Sequence, residues 1–177
     1  MNPVWSNIFR KKAGEDSLAY LLGTIPIFSE LNSQEIRFLE TLMHIRHYGP
    51  GEIVFEEGDP GSGMYIIRSG RVLIFNRDLG GFESEQAVLG IGDFFGETTL
   101  TAPANRTASA RSLENTELVG LFRADLLEAI PKHCSMANKV LMGLTRCVSE
   151  RLQAASLEIR RLKSYPETTS PRESEAT

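Results

Sequence analysis

The sequence predicts a mostly β domain with helices on either side, and three observations carry that reading. Between His44 and Leu121, short runs rich in β-branched and aromatic residues alternate with glycine turns, the pattern of an all-β sandwich or barrel. Before and after that stretch, apolar residues recur at helical spacing. Finally, a chain of 177 residues, 41% apolar, 24% charged and carrying a net charge of −4, makes one ordinary domain or one domain with appendages. It is long enough to bury a continuous core without staples.

Residues 1–16 read as an N-terminal arm. Val4, Trp5, Ile8 and Phe9 fall on one face of a short helix, followed by Arg10, Lys11 and Lys12. This fits a partner-docking or membrane-surface segment. One short helix with three cations is thin support, so the expectation is an arm that packs its single Trp on its own domain. Residues 17–43 read as helical. Ser17 caps a run containing Leu18, Tyr20, Leu21 and Leu22, and Pro26 interrupts it. Asn32 or Ser33 caps a second helix bearing Ile36, Leu39, Leu42 and Met43, with Glu35 placed for a capping box.

The strand runs are Ile53–Phe55, Met64–Ile67, Val72–Phe75, Gln86–Leu89, Ala108–Ala110 and Leu118–Leu121. Ser69-Gly70, between two of them, reads as a tight hairpin. From Arg123 the helical period returns. Ala124 to Ile130 is a short helix stopped at Pro131, and a long helix runs from Ser135 to Lys163. In it Leu141, Val148, Ala155 and Leu162 repeat every seven residues, with Thr145, Leu152 and Ile159 as the interleaved series. That spacing is a coiled-coil seam and predicts a homodimer; the plain alternative is a helix packed on its own domain. Residues 164–177 are rich in Ser, Thr, Glu and Pro and read as a disordered tail.

Several functions are excluded or disfavoured. Two cysteines, Cys134 and Cys147, provide neither a disulfide framework nor a four-thiolate metal site within one chain. No apolar run approaches the ~20 residues that span a bilayer, and the N-terminus lacks the features of a signal peptide, so the expected setting is reducing and cytoplasmic. Mild acidity argues against a sequence-independent grip on nucleic acid. His44 and His47 lack a carboxylate cluster for a metal site and, like the isolated His133, read as ordinary surface residues. The cysteines read as helix-face residues rather than redox sensors. No phosphate loop ending in Gly-Lys-Ser/Thr and no nucleophile elbow is present.

The chemistry concentrates in the loop from Gly92 to Ser109, which holds one Glu and one Arg around a glycine turn. Gly96 allows close approach of the backbone to a ligand. A short helix starting at Gly96 or Glu97 would point free amides at one spot. Arg106 offers a permanent charge and a fork of donors suited to phosphate. Glu97 would repel phosphate but accept hydrogen bonds from sugar hydroxyls. An anion plus hydroxyls describes a nucleotide with a free 2′-OH. The plain alternative is a Glu97–Arg106 ion pair on a surface loop.

Phe95-Gly-Glu-Thr-Thr-Leu100 followed by Asn105-Arg-Thr-Ala-Ser109 resembles the phosphate-binding cassette of cyclic nucleotide-binding domains. The stretch from Gly51 to Val72 is similar to that family's glycine pattern, and Arg151-Leu-Gln-Ala-Ala-Ser156 resembles the dimerising helix of bacterial catabolite-activator-type regulators. The resemblance runs from about Phe28 to Leu162. It implies a β-roll (a double-stranded β-helix or jelly roll) with N-terminal helices and a long C-terminal helix. The domain plan is then an arm at 1–16, a cyclic nucleotide-binding β-roll with flanking helices at 17–134, a dimerisation helix at 135–163 and a tail at 164–177.

The resemblance also implies roles. Arg106 would pair with the exocyclic phosphate, and the Gly96 and Glu97 amides would help hold it. Glu97 would accept the ribose 2′-OH. Thr107 would sit beside the phosphate within reach of a purine edge, and Ser156 would approach the purine from its own or a second subunit. The implied ligand-binding set is Gly96, Glu97, Thr98, Arg106, Thr107 and Ser156, with no catalytic residue, metal or cofactor. This chain departs from the family pattern at Asn105, where Pro is frequent, at Thr98-Thr99, where an aliphatic–small pair is frequent, and at Ala155, where the activators often carry a hydroxyl. These departures leave the base open between cAMP and cGMP: Thr107 resembles the residue of cGMP-selective eukaryotic kinases, where bacterial activators that take cAMP often have Ser, and cAMP is expected over cGMP by base rate alone. A helix-turn-helix domain would need at least ~50 more residues, and 15 follow Leu162, so direct DNA binding is not expected. The expectation is a non-enzymatic cyclic nucleotide sensor, stand-alone or a fragment of a longer protein, that signals to a protein partner whose identity the sequence does not give. The alternatives are a degenerate dimeric scaffold of the same fold that binds no nucleotide and, on fold grounds alone, a metal-dependent β-barrel enzyme.

Overall fold

Capping side chains start the fold where the sequence places them. In a computed structural model that describes residues 17–164, α1 (Leu18–Thr24) begins with the Ser17 hydroxyl accepting the Tyr20 amide at 3.1 Å. Pro26 opens a 3-10 turn, Pro26–Phe28, as its fixed φ suits a first turn. α2 (Ser33–Thr41) carries the capping box: Asn32 accepts the Gln34 and Glu35 amides, and Glu35 accepts the Asn32 N–H at 2.8 Å. The expectations for the arm at 1–16 and for the tail beyond 164 lie outside the described residues. Met43, expected in the second helix, instead opens β1 (Met43–Tyr48), where it pairs with Leu121.

The other strands are β2 (Ile53–Phe55), β3 (Pro60–Gly61), β4 (Gly63–Ser69), β5 (Val72–Arg77), β6 (Glu83–Leu89), β7 (Phe94–Phe95), β8 (Ala104–Asn105), β9 (Ser109–Ser112) and β10 (Thr116–Phe122). All pair antiparallel. One sheet runs β1-β10-β4-β7, the second runs β2-β9-β5-β6, and β3 pairs with β8. The hairpin expected at Ser69-Gly70 is not formed. β4 has β10 on one edge and β7 on the other, and β5 lies between β9 and β6. No edge of β4 is left for β5, so this turn carries the chain from one sheet to the other. The hairpin of this region joins β5 to β6, and Asp78 closes it by accepting the Gly80 and Phe82 amides at 2.9 Å.

Two cores result, and β4 serves both. Met64 and Ile66 join a core with Leu22, Phe28, Leu39 and Val140 from the helices. Ile67 joins Val72, Phe95, Ala110 and Leu118 between the sheets. Burial on both faces explains why this strand reads as a continuous apolar run. α3 (Arg123–Ala129) leads to α4 (Cys134–Ser164), close to the expected bounds. No helix among the described residues is long and apolar enough to cross a membrane.

The first half of α4 packs on the domain through Met136, Ala137, Val140, Leu144 and Cys147. Lys139 pairs with Glu35 at 2.8 Å, and Arg146 pairs with Glu30. The Lys139 hydrogen bond, then that of the Asn32 amide, holds the Glu35 carboxyl below the ordinary carboxylate range. That contribution to stability is complete above the ordinary range and is lost as pH falls through the lowered value. Beyond Val148 the seam residues stand clear: Leu152, Ile159 and Leu162 are each more than half exposed.

α4 crosses the 3-10 turn so closely that a Cβ on Gly143 would lie 2.0 Å from the Ile27 carbonyl oxygen. In an isolated helix Gly→Ala gains about 1 kcal/mol. Here the overpacking, worth about 1–3 kcal/mol, meets a backbone atom that cannot rotate away, so it prevails. Gly143→Ala is expected to lower stability, read as a reduced midpoint in urea; an unchanged or raised midpoint would contradict the contact.

Candidate functional site

The loop from Gly92 to Ser109 folds around its glycine. Phe94 and Phe95 add β7 to β4. Gly96 then takes the left-handed conformation (φ 75°) and leads into a 3-10 turn, Glu97–Thr99. A Cβ on Gly96 would lie 2.4 Å from Arg106 Nη1, so both the conformation and the space require glycine. Among the described residues the leading amides of the turn, on Glu97 and Thr98, have no backbone acceptor, as the first turn of a helix dictates.

Arg106 follows β8, which β3 holds in place. Its amide donates to the Asp59 carbonyl at 2.8 Å, and its own carbonyl accepts the Gly58 amide at 2.9 Å. The side chain is buried, at 6% exposure. Nη1 donates to the Gly96 carbonyl and to Thr99 Oγ1, both at 3.0 Å. The guanidinium lies over the Phe55 ring, 4.1 Å from its centroid, a cation–π contact. Among the described residues Nε and Nη2 have no hydrogen-bond partner, and no polar side-chain atom is both buried and unsatisfied. That edge of the fork therefore faces open space. Burial pulls the guanidinium below its ordinary pKa, though an arginine so placed stays charged at neutral pH.

The Glu97–Arg106 ion pair is not formed. Glu97, 7% exposed, is instead bound by Arg151 of α4, with Nη1 at 2.7 Å from Oε1. Arg151 also donates to the Phe94 carbonyl at 3.2 Å and lies 4.5 Å from the Phe94 ring centroid. Sequence reasoning assigned no role to Arg151. Its one signal is its place at the head of the Arg151–Ser156 segment, a segment read for its seam and for Ser156.

These groups surround a cavity of about 400 Å³, within the range of small-molecule sites. Gly96, Glu97, Thr98, Arg106 and Thr107 all line it, and Arg151 closes one side. Phe55, Ile74 and Leu89 supply an apolar wall. Ser156 is not brought to the cavity within one chain and stands exposed on α4. The Thr107 carbonyl accepts Asn76 Nδ2 at 2.9 Å. Of the departures from the family pattern, Asn105 is exposed and Thr99 is fully buried.

The remaining candidates lie elsewhere. His44 and His47 face separate carboxylates, Asp125 at 3.0 Å and Glu117 at 3.2 Å. They therefore do not converge on one site, and no cluster of three potential metal ligands occurs among the described residues. His133 stacks on Phe38. Cys134 is exposed, and Cys147 is buried, where burial pushes its thiol pKa up.

Comparison with known proteins places this geometry among relatives. Residues 45–133 match the family model of the cyclic nucleotide-binding domain. The chain is 37% identical over 134 residues to the cyclic AMP receptor protein of Thermus thermophilus, covering 76% of this chain and 60% of that one. It is 31% identical over 126 residues to a CRP-like cAMP-activated global transcriptional regulator of Mycobacterium tuberculosis, covering 71% and 56%. The crystal structure of the Thermus thermophilus catabolite activator protein superposes with a TM-score of 0.71 at 36% identity, covering 78% of this chain and 63% of that one. The chain thus spans less than two thirds of the length of these proteins.

The Glu97–Arg151 pair has one buried and one half-exposed partner, so its worth falls between a surface pair and a buried one. In a double-mutant cycle of Glu97→Gln and Arg151→Ala, urea denaturation is expected to give a coupling of about 1–2 kcal/mol. A coupling near zero would mean that the pair does not tie α4 to the cavity.

Proposed function

The chain belongs to the cyclic nucleotide-binding domain family, and from that premise we propose that it is a cyclic nucleotide sensor, with cAMP as the preferred ligand, that signals to a protein partner through α4. One observation carries the reading: a buried arginine whose Nε and Nη2 have no hydrogen-bond partner among the described residues lines a cavity that also presents a buried carboxylate. An anion bound there meets a fixed charge and two parallel donors, with the free amides of Glu97 and Thr98 close by. Glu97 takes the ribose hydroxyl as a hydrogen-bond acceptor, and the apolar wall at Ile74 and Leu89 receives the base. The names of the two relatives above support cAMP over cGMP.

The output follows from Arg151. A ribose hydroxyl at Glu97 competes with, or adds to, the bond that ties α4 to the cavity wall. A ligand shifts a conformational equilibrium only by its different affinity for the two states, and this contact is the one where the two states of α4 differ. The exposed seam at Val148, Leu152, Ile159 and Leu162 supports a homodimer through α4, whose partner helix would bring a second Ser156 toward the base. Thr98 and Thr107 line the same cavity and complete the ligand set.

Isothermal titration with cAMP and cGMP, paired with thermal denaturation, tests the reading. At one hundred times its dissociation constant the ligand should raise stability by ~2.7 kcal/mol, and Arg106→Ala should remove most of that gain. A protein freed of co-purifying ligand that responds to no cyclic nucleotide would leave the non-binding scaffold as the better account.

A further inference from the structure

We propose that Thr99 is a positioning residue that decides which edge of the Arg106 guanidinium meets the ligand; the proposal deepens the cyclic nucleotide reading and rests on it for the ligand's identity. Thr99 stands where the family pattern favours a small residue, and it is fully buried. Its Oγ1 and the Gly96 carbonyl both accept from Arg106 Nη1, each at 3.0 Å. Nη1 is therefore the nitrogen of the guanidinium that the protein engages. The side of the fork left over is Nε with Nη2, which presents two parallel N–H groups to an anion. Without the hydroxyl, Nη1 keeps one acceptor and the guanidinium can turn about its long axis.

The hydroxyl itself is held on all sides. Its single proton has the Gly63 carbonyl at 3.2 Å and the Gly96 carbonyl at 3.1 Å in reach. The Thr99 carbonyl accepts Arg123 Nη1 at 2.8 Å, and the same nitrogen donates to Gly61 and Ala102. Arg123 opens α3, so the Thr99 backbone is tied to a helix and not to the loop alone. Space is made on the opposite strand: a Cβ on Gly61 would lie 2.3 Å from the Thr99 methyl carbon. A threonine at a position that otherwise favours a small residue is thus matched by a glycine across from it.

The test uses the full chain with three variants. Thr99→Val keeps the shape and removes the hydroxyl; Thr99→Ser keeps the hydroxyl and loses a methyl; Thr99→Ala serves if the valine variant does not fold. In nucleotide-free protein, ¹⁵N spectra should show separate Nη resonances for Arg106, assigned by their loss in Arg106→Ala. These are expected to stay resolved in wild type and Thr99→Ser and to merge by rotation in Thr99→Val. Titration with cAMP should then give about tenfold weaker binding for Thr99→Val, in line with loss of a hydrogen bond to a charged group, and recovery in Thr99→Ser. Resolved resonances and unchanged affinity in Thr99→Val would overturn the proposal. If the wild type binds no cyclic nucleotide but the resonances behave as expected, the positioning role stands and the nucleotide reading fails.

Discussion

A charge buried in a protein wall is the constraint around which this site is built. Removing a cation from water costs several kcal/mol unless hydrogen bonds or opposite charge offset it. Among the described residues Arg106 has no carboxylate within ion-pair distance, though Asp59 and Glu97 act on it from further away. Its offsets are two oxygen acceptors, the face of Phe55, and an edge left open to the cavity. Each offset demands something of the chain. The Gly96 carbonyl can approach only because Gly96 has no Cβ, and its left-handed turn starts the 3-10 turn that carries Glu97 and Thr99. The β3–β8 pairing fixes the Arg106 backbone through Asp59 and Gly58. The irregular loop is therefore as tightly specified as the strands around it, and an anion is the group that would complete the set of offsets.

α4 is two helices in mechanical terms. Its first half is cemented by five buried side chains, two ion pairs and a glycine contact with the 3-10 turn. Its second half presents an apolar seam to solvent, and Arg151 is where it touches the cavity wall. Segments with few buried contacts open at low free energy. The joint between the halves thus falls beside Glu97, so the less anchored half of α4 adjoins the cavity.

Much of this was legible in the sequence, for reasons that can be named. Ser17 and Asn32 cap helices because their side-chain oxygens satisfy amides a few residues away, a local matter. Gly96, Glu97 and Arg106 converge because one loop carries all three. What was not legible depends on distant partners. Ser69-Gly70 has the look of a hairpin, but β4 is already paired on both edges by strands far along the chain. Met43 fits a helical period, yet β10 draws it into a strand. Arg151 lies 54 residues from Glu97, and no spacing rule connects them. Thr99 looked like a defect in the motif until the structure placed its hydroxyl against the Arg106 guanidinium.

In the proposed sensor, affinity and response fall to different residues. The phosphate contact at Arg106 rests on β3, β8 and the Gly96 turn, all anchored in the β domain. Among the described residues no hydrogen-bond partner of Arg106 lies on α4, so this contact raises occupancy and does little to favour either state. A ligand with equal affinity for two states shifts nothing, however tightly it binds. The sugar contact is different, because Glu97 is shared with Arg151. Its strength depends on where the second half of α4 lies, and only such a term can bias that half. An anion lacking the hydroxyl would therefore occupy the cavity through Arg106 and leave α4 where it was. The separation lets the arginine set how much nucleotide is sensed while the carboxylate sets what sensing does.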